Sequence, residues 1–90
     1  MRLIKLRINH HPKEALKRET GLVLSSLRRE ARLTQEALAE LVEFEPNYIS
    51  EIERGIKLPA FDSFMRLAQA LKCPPSQALK KIETRLAKRR

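Results

Sequence analysis

Three polar side chains lie close together in the sequence between residues 46 and 51, and their chemistry suits the edges of nucleic-acid bases. Asn47 can form two hydrogen bonds with adenine through N6 and N7, and the Glu51 carboxylate can accept one from the amino group of cytosine. Tyr48 can contact a thymine methyl group or a phosphate. The competing interpretation is that Tyr48 packs against the core and that Glu51 is a solvated charge. These side chains recognise bases only if a scaffold holds them outward.

Catalysis and metal binding have no comparable set of residues. The sequence contains no pairing of nucleophile and base, no glycine-rich phosphate loop and no metal-ligand spacing. Cys73 is the single cysteine, so no intrachain disulfide forms, and His10 and His11 are its only candidate companions for a metal. We therefore expect no enzyme, no cofactor and no metal site, and we expect Cys73 to lie in or near the core.

The elements that would hold the polar side chains outward are two short helices joined by a tight turn, within residues 34–55. Thr34 is suited to cap the first helix, and Pro46 suits the first position of the second, where its missing N–H costs nothing. Gly55 supplies the left-handed residue that closes the second helix. Apolar residues at helical spacing give each helix one buried stripe: Ala37, Leu38, Leu41 and Val42, then Ile49 and Ile52. This pattern predicts a helix-turn-helix, which presents its second helix to a DNA groove.

The segment TQEALAELVEFEPNYISEIERG resembles the Cro/cI-type (XRE) helix-turn-helix family, and YISEIERG with the downstream LPAF is similar to controller proteins of restriction–modification systems. The resemblance extends from about Leu22 to Leu79. It implies that the first, second, third and sixth residues of the second helix face the bases, and these are Pro46, Asn47, Tyr48 and Glu51. The chain departs from the family pattern where it has Glu43 for a turn glycine, and Glu45 and Ala60 for hydroxyl caps.

The resemblance also assigns roles next to the recognition helix. Gln35 matches the phosphate-binding glutamine of the family, at a helix N-terminus where backbone N–H groups can meet a phosphate. Arg28 and Glu53 would form a largely buried ion pair between the first helix of the domain and the recognition helix. Arg54 and Lys57 flank the end of that helix, and we expect both to bind the DNA backbone.

The net charge of +8 suits a polyanionic partner, but it is unevenly distributed. Residues 1–19 carry +4 and residues 72–90 carry +6, whereas residues 20–71 carry −2. The helix pair itself, residues 34–55, holds six glutamates and one arginine. Since duplex DNA repels such an acidic element, either the basic ends supply the salt-dependent attraction or specific binding is weak.

The remaining segments complete a predicted all-α, five-helix, lambda-repressor-like domain over residues 21–88, preceded by a basic N-terminal arm over residues 1–20. A first helix is expected from Leu22 to Ala31, or a longer one that continues through Gly21 at a cost of about 1 kcal/mol. A fourth helix is expected from Phe61 to Leu71, with an inward stripe of Phe61, Phe64, Met65, Ala68 and Leu71. A fifth follows Pro74 and Pro75, with a narrow apolar seam of Leu79, Ile82 and Leu86.

The N-terminal arm has two interpretations. Its alternation of apolar and basic residues over residues 1–8 has the period of a β-strand, yet the rest of the chain offers that strand no partner. The arm either lies loosely against the body or pairs with its copy in a second protomer.

Together these features predict a cytoplasmic, sequence-specific DNA-binding transcriptional regulator. It would bind an inverted-repeat operator in double-stranded DNA as a homodimer, with its recognition helix in the major groove. Candidate dimer contacts come from the arm and the fifth helix: Ile4, Leu6, Ile8, Leu79, Ile82 and Leu86. The alternative is an antitoxin-type or other interaction module on the same fold, with a toxin or polymerase as partner. No stretch is long and apolar enough to cross a membrane, so no membrane association is expected.

Overall fold

The structure, a computed structural model, describes residues 12–88 and contains five helices. They are α1 (Lys13–Glu30), α2 (Gln35–Val42), α3 (Pro46–Glu53), α4 (Phe61–Ala70) and α5 (Pro75–Ala87). The predicted all-α architecture is confirmed. The predicted strand, with Ile4, Leu6 and Ile8, lies outside the described residues, as do His10 and His11.

Helix α1 is longer than the predicted helix that begins at Leu22, because it continues through Gly21 to Lys13. A Cβ atom at Gly21 would lie 2.4 Å from the carbonyl oxygen of Ile52 and 2.7 Å from that of Glu53. Glycine is therefore required here by the close approach of α1 to the end of α3, and it does not break the helix. The first half of α1 consequently joins the core, with Ala15 and Glu19 buried.

Helices α1 to α4 all end in the same backbone motif. A residue two or three places past the end of the helix donates its N–H to a carbonyl five residues earlier, as Leu33 does to Arg28 at 3.1 Å and Phe44 to Ala39 at 2.9 Å. The preceding residue is left-handed in each case: Arg32, Glu43, Gly55 and Lys72, with φ of 62°, 63°, 77° and 58°. Only Gly55 was predicted from the sequence, since the other three are residue types that rarely adopt this conformation.

The core lies where α1 packs on α5 and α3, and where α2 packs on α3 and α4. The buried aliphatic residues Leu38, Ile49 and Ile52 of the helix pair belong to it, as predicted. Buried Glu19 of α1 accepts a hydrogen bond of 2.5 Å from Arg85 Nε of α5. This ion pair joins the two helices that frame the helix pair.

Two side chains predicted to point inward are exposed. Phe61 is 75% exposed, because it lies at the first position of α4, one turn before the buried stripe begins at Phe64. Leu41 is 60% exposed, because the buried face of α2 is centred on Leu38, Ala39 and Val42 and leaves Leu41 at its edge. Both predictions of burial were wrong, and both residues contribute apolar area to the surface.

The apolar seam of α5 is mostly internal, in contrast to its prediction as a dimer contact. Ile82 and Leu86 are buried within the chain, whereas Leu79 is 50% exposed. The cause is the extension of α1, since its first half covers α5 within the same chain. Cys73 is buried with a free thiol, as expected. None of the helices within residues 12–88 is both long and apolar enough to span a bilayer.

Candidate nucleic-acid interface

Side-chain contacts fix both ends of α2. The hydroxyl of Thr34 accepts a hydrogen bond of 3.0 Å from the Ala37 N–H, which is the predicted N-cap. At the other end, Arg66 of α4 donates to the Val42 carbonyl at 3.0 Å, and its guanidinium lies 5.3 Å from the Phe44 ring centroid. A cation at the C-terminal carbonyls is also favoured by the helix dipole.

The tight turn between α2 and α3 is held by an aromatic pair. The rings of Phe44 and Tyr48 meet edge to face, with centroids 5.3 Å apart and planes at 67°. The Tyr48 hydroxyl accepts a hydrogen bond of 3.4 Å from the Ala60 N–H, in the loop that leads to α4. Tyr48 is half-buried, so packing accounts for its ring, and the hydroxyl joins α3 to the next loop.

Helix α3 presents its start to solvent. It begins at Pro46, as predicted, and Glu45 in the cap position makes no side-chain capping bond. Ile49 and Ile52 bury one face in the core, whereas Glu45, Pro46 and Asn47 are exposed. The first turn of α3 is therefore accessible to a ligand while the helix is anchored from behind.

Two predicted contact residues pair with each other. Lys57 Nζ lies 3.2 Å from Glu51 Oε1 and 6.0 Å from the centroid of the Tyr48 ring. The ion pair partly neutralises Glu51, which is the acidic side chain that would face the bases. Exposed pairs of this kind are weak, so Lys57 can also exchange its partner for a phosphate.

The ion pair between Arg28 and Glu53 ties α1 to α3, as the resemblance implies. Arg28 Nε donates to Glu53 Oε2 at 2.7 Å and Nη2 donates to Oε1 at 3.0 Å, which gives the bidentate geometry of a strong pair. Arg28 Nη1 also donates to the Leu33 carbonyl at 2.7 Å. Hydrogen bonding to Glu53, which outweighs the opposing effect of burial, raises the pKa of Arg28 above its ordinary value. The guanidinium therefore stays charged throughout the neutral range.

Gln35 joins the same network and does not project freely from α2. Its Nε2 donates to Glu53 Oε1 at 2.9 Å, so one side-chain donor is used inside the protein. Its backbone N–H remains at the N-terminus of α2, where a phosphate is favoured. Arg54, which follows α3, is exposed.

Acidic side chains nevertheless dominate the surface of the helix pair. Four of its six glutamates are exposed: Glu36, Glu40, Glu43 and Glu45. Arg54 and Lys57 are the nearby cations at the end of α3. A polyanion approaching this surface requires positive charge from elsewhere in the chain.

Sequence reasoning missed two residues that hold this site in place. Arg66 restrains the end of α2. In the sequence it is an isolated cation on a predicted helix, which does not indicate this contact. Gly21 sets the distance between α1 and α3, although a glycine inside a helical pattern indicates a break just as well.

A family model for the helix-turn-helix domain matches residues 19–79. The chain belongs to this family. The match extends from α1 into α5, so it includes α2, α3 and the helices that frame them. The XRE-type resemblance is thereby confirmed.

Solved structures of three other proteins share the fold. The clp gene regulator ClgR from Corynebacterium glutamicum is 29% identical, with 84% of this chain and 81% of that chain covered and a TM-score of 0.78. The restriction-modification controller protein C.AhdI from Aeromonas hydrophila is 31% identical, with 69% and 94% covered and a TM-score of 0.66. The hypothetical transcription factor NHTF from Neisseria is 22% identical, with 97% and 95% covered and a TM-score of 0.71, which shows the fold alone.

None of the curated protein sequences matches this chain significantly. The helix-turn-helix family and the two regulators above 25% identity place the chain with DNA-binding regulators rather than with enzymes.

Proposed function

We propose that this helix-turn-helix protein is a sequence-specific transcriptional regulator that inserts the first turn of α3 into the major groove of duplex DNA. The observation that carries the proposal is the exposed start of α3, with Asn47 outward and Ile49 and Ile52 anchored behind it. A helix held in this way offers its N-terminal side chains to base edges.

Asn47 is the residue that we expect to distinguish bases. Its amide can donate to N7 and accept from N6 of adenine, a pair of bonds that no other base matches. Pro46 can make only an apolar contact. Glu51 can accept a hydrogen bond from a cytosine amino group when Lys57 binds a phosphate instead of Glu51. The Tyr48 hydroxyl, which accepts from the Ala60 N–H, can likewise contact a phosphate of the DNA backbone.

Contacts to the DNA backbone would come from both sides of the recognition helix. The N-terminus of α2, which begins at Gln35, supplies backbone N–H groups, and Arg54 and Lys57 supply charge at the end of α3. The exposed glutamates oppose this binding, so we assign the remaining attraction to the basic segments at residues 1–19 and 72–90. Affinity should therefore fall steeply as salt rises.

One short helix can contact only one half-site of an operator. We therefore propose a homodimer, in which two recognition helices contact two half-sites about one turn of DNA apart. The surface that suits it is the Phe61 groove, a depression of about 200 Å³ lined by Leu16, Thr20, Leu58, Pro59, Phe61, Phe64, Leu79 and Ile82. No charged side chain lines it, and it includes exposed Phe61 and Leu79. An uncharged apolar patch can meet its own copy across a twofold axis without like-charge repulsion. Of the predicted α5 contacts, Leu79 is the one that remains available.

A protein that binds DNA in this way acts inside the cell, and we place it in the cytoplasm.

The proposal is tested by selecting bound duplexes from a random DNA pool at two salt concentrations. We expect a palindromic consensus and a strong loss of binding at the higher salt. Recovery of sequences without a consensus would contradict sequence-specific binding, and a consensus without a dyad would contradict the homodimer.

A further inference from the structure

A second apolar surface lies on the side of the molecule formed by α1 and α5. Two adjoining depressions, of about 570 and 320 Å³, share Leu27, Glu30 and Lys81. We call them together the α1–α5 groove. Its first part follows α1 from Leu22 to Glu30, which is roughly 12 Å along the helix axis. Its second part continues past the end of α1 to Leu41 of α2. Its lysines belong to the basic segment at residues 72–90, but none of its lining residues is among the direct DNA contacts proposed at α2, α3 and the end of α3.

The floor of the α1–α5 groove is apolar and accessible. Leu22 is 41% exposed at one end and Leu41 is 60% exposed at the other. Leu27 and Leu71 continue the apolar surface between them. Two exposed leucines at opposite ends of a groove are more than the isolated apolar residues that most protein surfaces carry.

The rim of the groove is basic. Lys72, Lys80 and Lys81 are exposed along it, and Glu30 is the acidic residue that lines it. Arg85 also lines the groove but already pairs with Glu19. The rim therefore carries an excess of positive charge above an apolar floor.

This combination disfavours a second copy of the chain as the occupant. A twofold contact through this groove would bring the same lysines together, and like charges across an interface oppose association. The Phe61 groove, whose lining is uncharged, has no such barrier. The phosphates of duplex DNA would pair with the lysines, but the exposed leucines would have no apolar partner.

We infer that the α1–α5 groove is a docking site for an acidic amphipathic helix of another protein. Leucine-like side chains of that helix would cover Leu22 and Leu41, and its carboxylates would meet Lys72, Lys80 and Lys81. The part of the groove along α1 is long enough for about two turns of such a helix. The protein would then be an interaction module as well as a DNA-binding one, and this inference does not depend on the proposed function.

The test uses the full chain and a synthetic helical peptide of about 15 residues, with leucines on one face and glutamates on the other. A second peptide keeps the leucines and replaces each glutamate with lysine. Binding of both is measured by calorimetry at low salt. We expect the acidic peptide to bind and the basic peptide to bind at least roughly tenfold more weakly.

Matched variants locate the binding site. Lys81→Glu should weaken binding of the acidic peptide roughly tenfold. Lys88→Glu, the same change directly after α5 and outside the groove, should have less than about a twofold effect. Leu41→Ser should weaken binding several-fold, whereas Leu79→Ser, in the Phe61 groove, should not. All four positions are exposed, so we expect folding to be retained, and circular dichroism checks this.

Three results would overturn the inference. They are no binding of the acidic peptide, equal binding of both peptides, and groove variants that bind as their controls do. A loss of DNA affinity on Lys81→Glu without any peptide binding would assign the groove to DNA and equally refute it.

Discussion

Gly21 of α1 lies directly against the carbonyl oxygen of Ile52 in α3, close enough that a methyl group at Gly21 would stand 2.4 Å from that oxygen. This contact sets the distance between the longest helix and the recognition helix. The Arg28–Glu53 pair, farther along the same two helices, fixes their relative orientation. The position of Asn47, in the first turn of α3, therefore depends on a backbone contact and an ion pair in its last turn.

Gly21→Ala should lower the free energy of unfolding by about 1–3 kcal/mol, since the added methyl group meets backbone oxygens that cannot move independently. Urea unfolding measures this. If the glycine served only as a helix breaker, the alanine would instead stabilise the protein by about 1 kcal/mol. The control is Ser26→Ala on the exposed face of α1, where we expect a change within about 0.5 kcal/mol.

Glu43→Gly should raise the free energy of unfolding by about 1 kcal/mol, because φ at Glu43 is 63° and glycine adopts that conformation without strain. It also removes an exposed negative charge beside α3, so DNA affinity should rise for all sequences. Lys72→Gly is the matched control, since φ there is 58°. Lys72→Gly should give a similar gain in stability and no gain in DNA affinity. Equal effects of Glu43→Gly and Lys72→Gly on DNA affinity would show that the charge of Glu43 does not weaken DNA binding.

Arg28→Met should cost about 3–5 kcal/mol of stability, because it leaves the buried Glu53 carboxylate without its cation. Gln35→Ala removes only one hydrogen bond to the same carboxylate and should cost about 1 kcal/mol. Since the folded state raises the pKa of Arg28, the contribution of its charge is fully present at neutral pH and is lost on the alkaline side only under strongly alkaline conditions. Stability is measured by urea unfolding at pH 7. An equal loss in the two variants would show that the ion pair with Arg28 stabilises the fold no more than the Gln35 hydrogen bond does.

Phe61→Ser should weaken the proposed homodimer at least roughly tenfold, because it removes the most exposed aromatic ring of the uncharged Phe61 groove. Analytical ultracentrifugation over a range of protein concentrations measures the dissociation constant. Leu41→Ser, which removes an exposed apolar side chain from the other groove, should leave the dissociation constant unchanged. Dissociation by Leu41→Ser and not by Phe61→Ser would move the interface to the α1–α5 groove.

Much of the fold was predictable because some residue types favour one position at the start or end of a helix. Thr34 and Pro46 mark the starts of α2 and α3, and Gly55 marks the end of α3, because caps and turns depend on neighbours in the sequence. The family resemblance located the Arg28–Glu53 pair, which no spacing rule would find across 25 residues.

The errors occurred where tertiary contacts decide. Gly21 is compatible with a break or with a close helix contact, and only the position of α3 distinguishes them. Because the first half of α1 was not assigned to the core, Ile82 and Leu86 were named as candidate dimer contacts, although they are buried within the chain. Phe61 continues the apolar period of α4 but lies beyond the helices that would cover it.

The most direct test of the account compares the DNA sequences selected by the wild-type protein with those selected by Asn47→Ala. If the first turn of α3 contacts the bases, the variant should lose its preference at one position in each half-site, by about 1–3 kcal/mol, and keep the rest of the consensus. An unchanged consensus, or equal weakening on every sequence, would show that α3 does not recognise bases through Asn47.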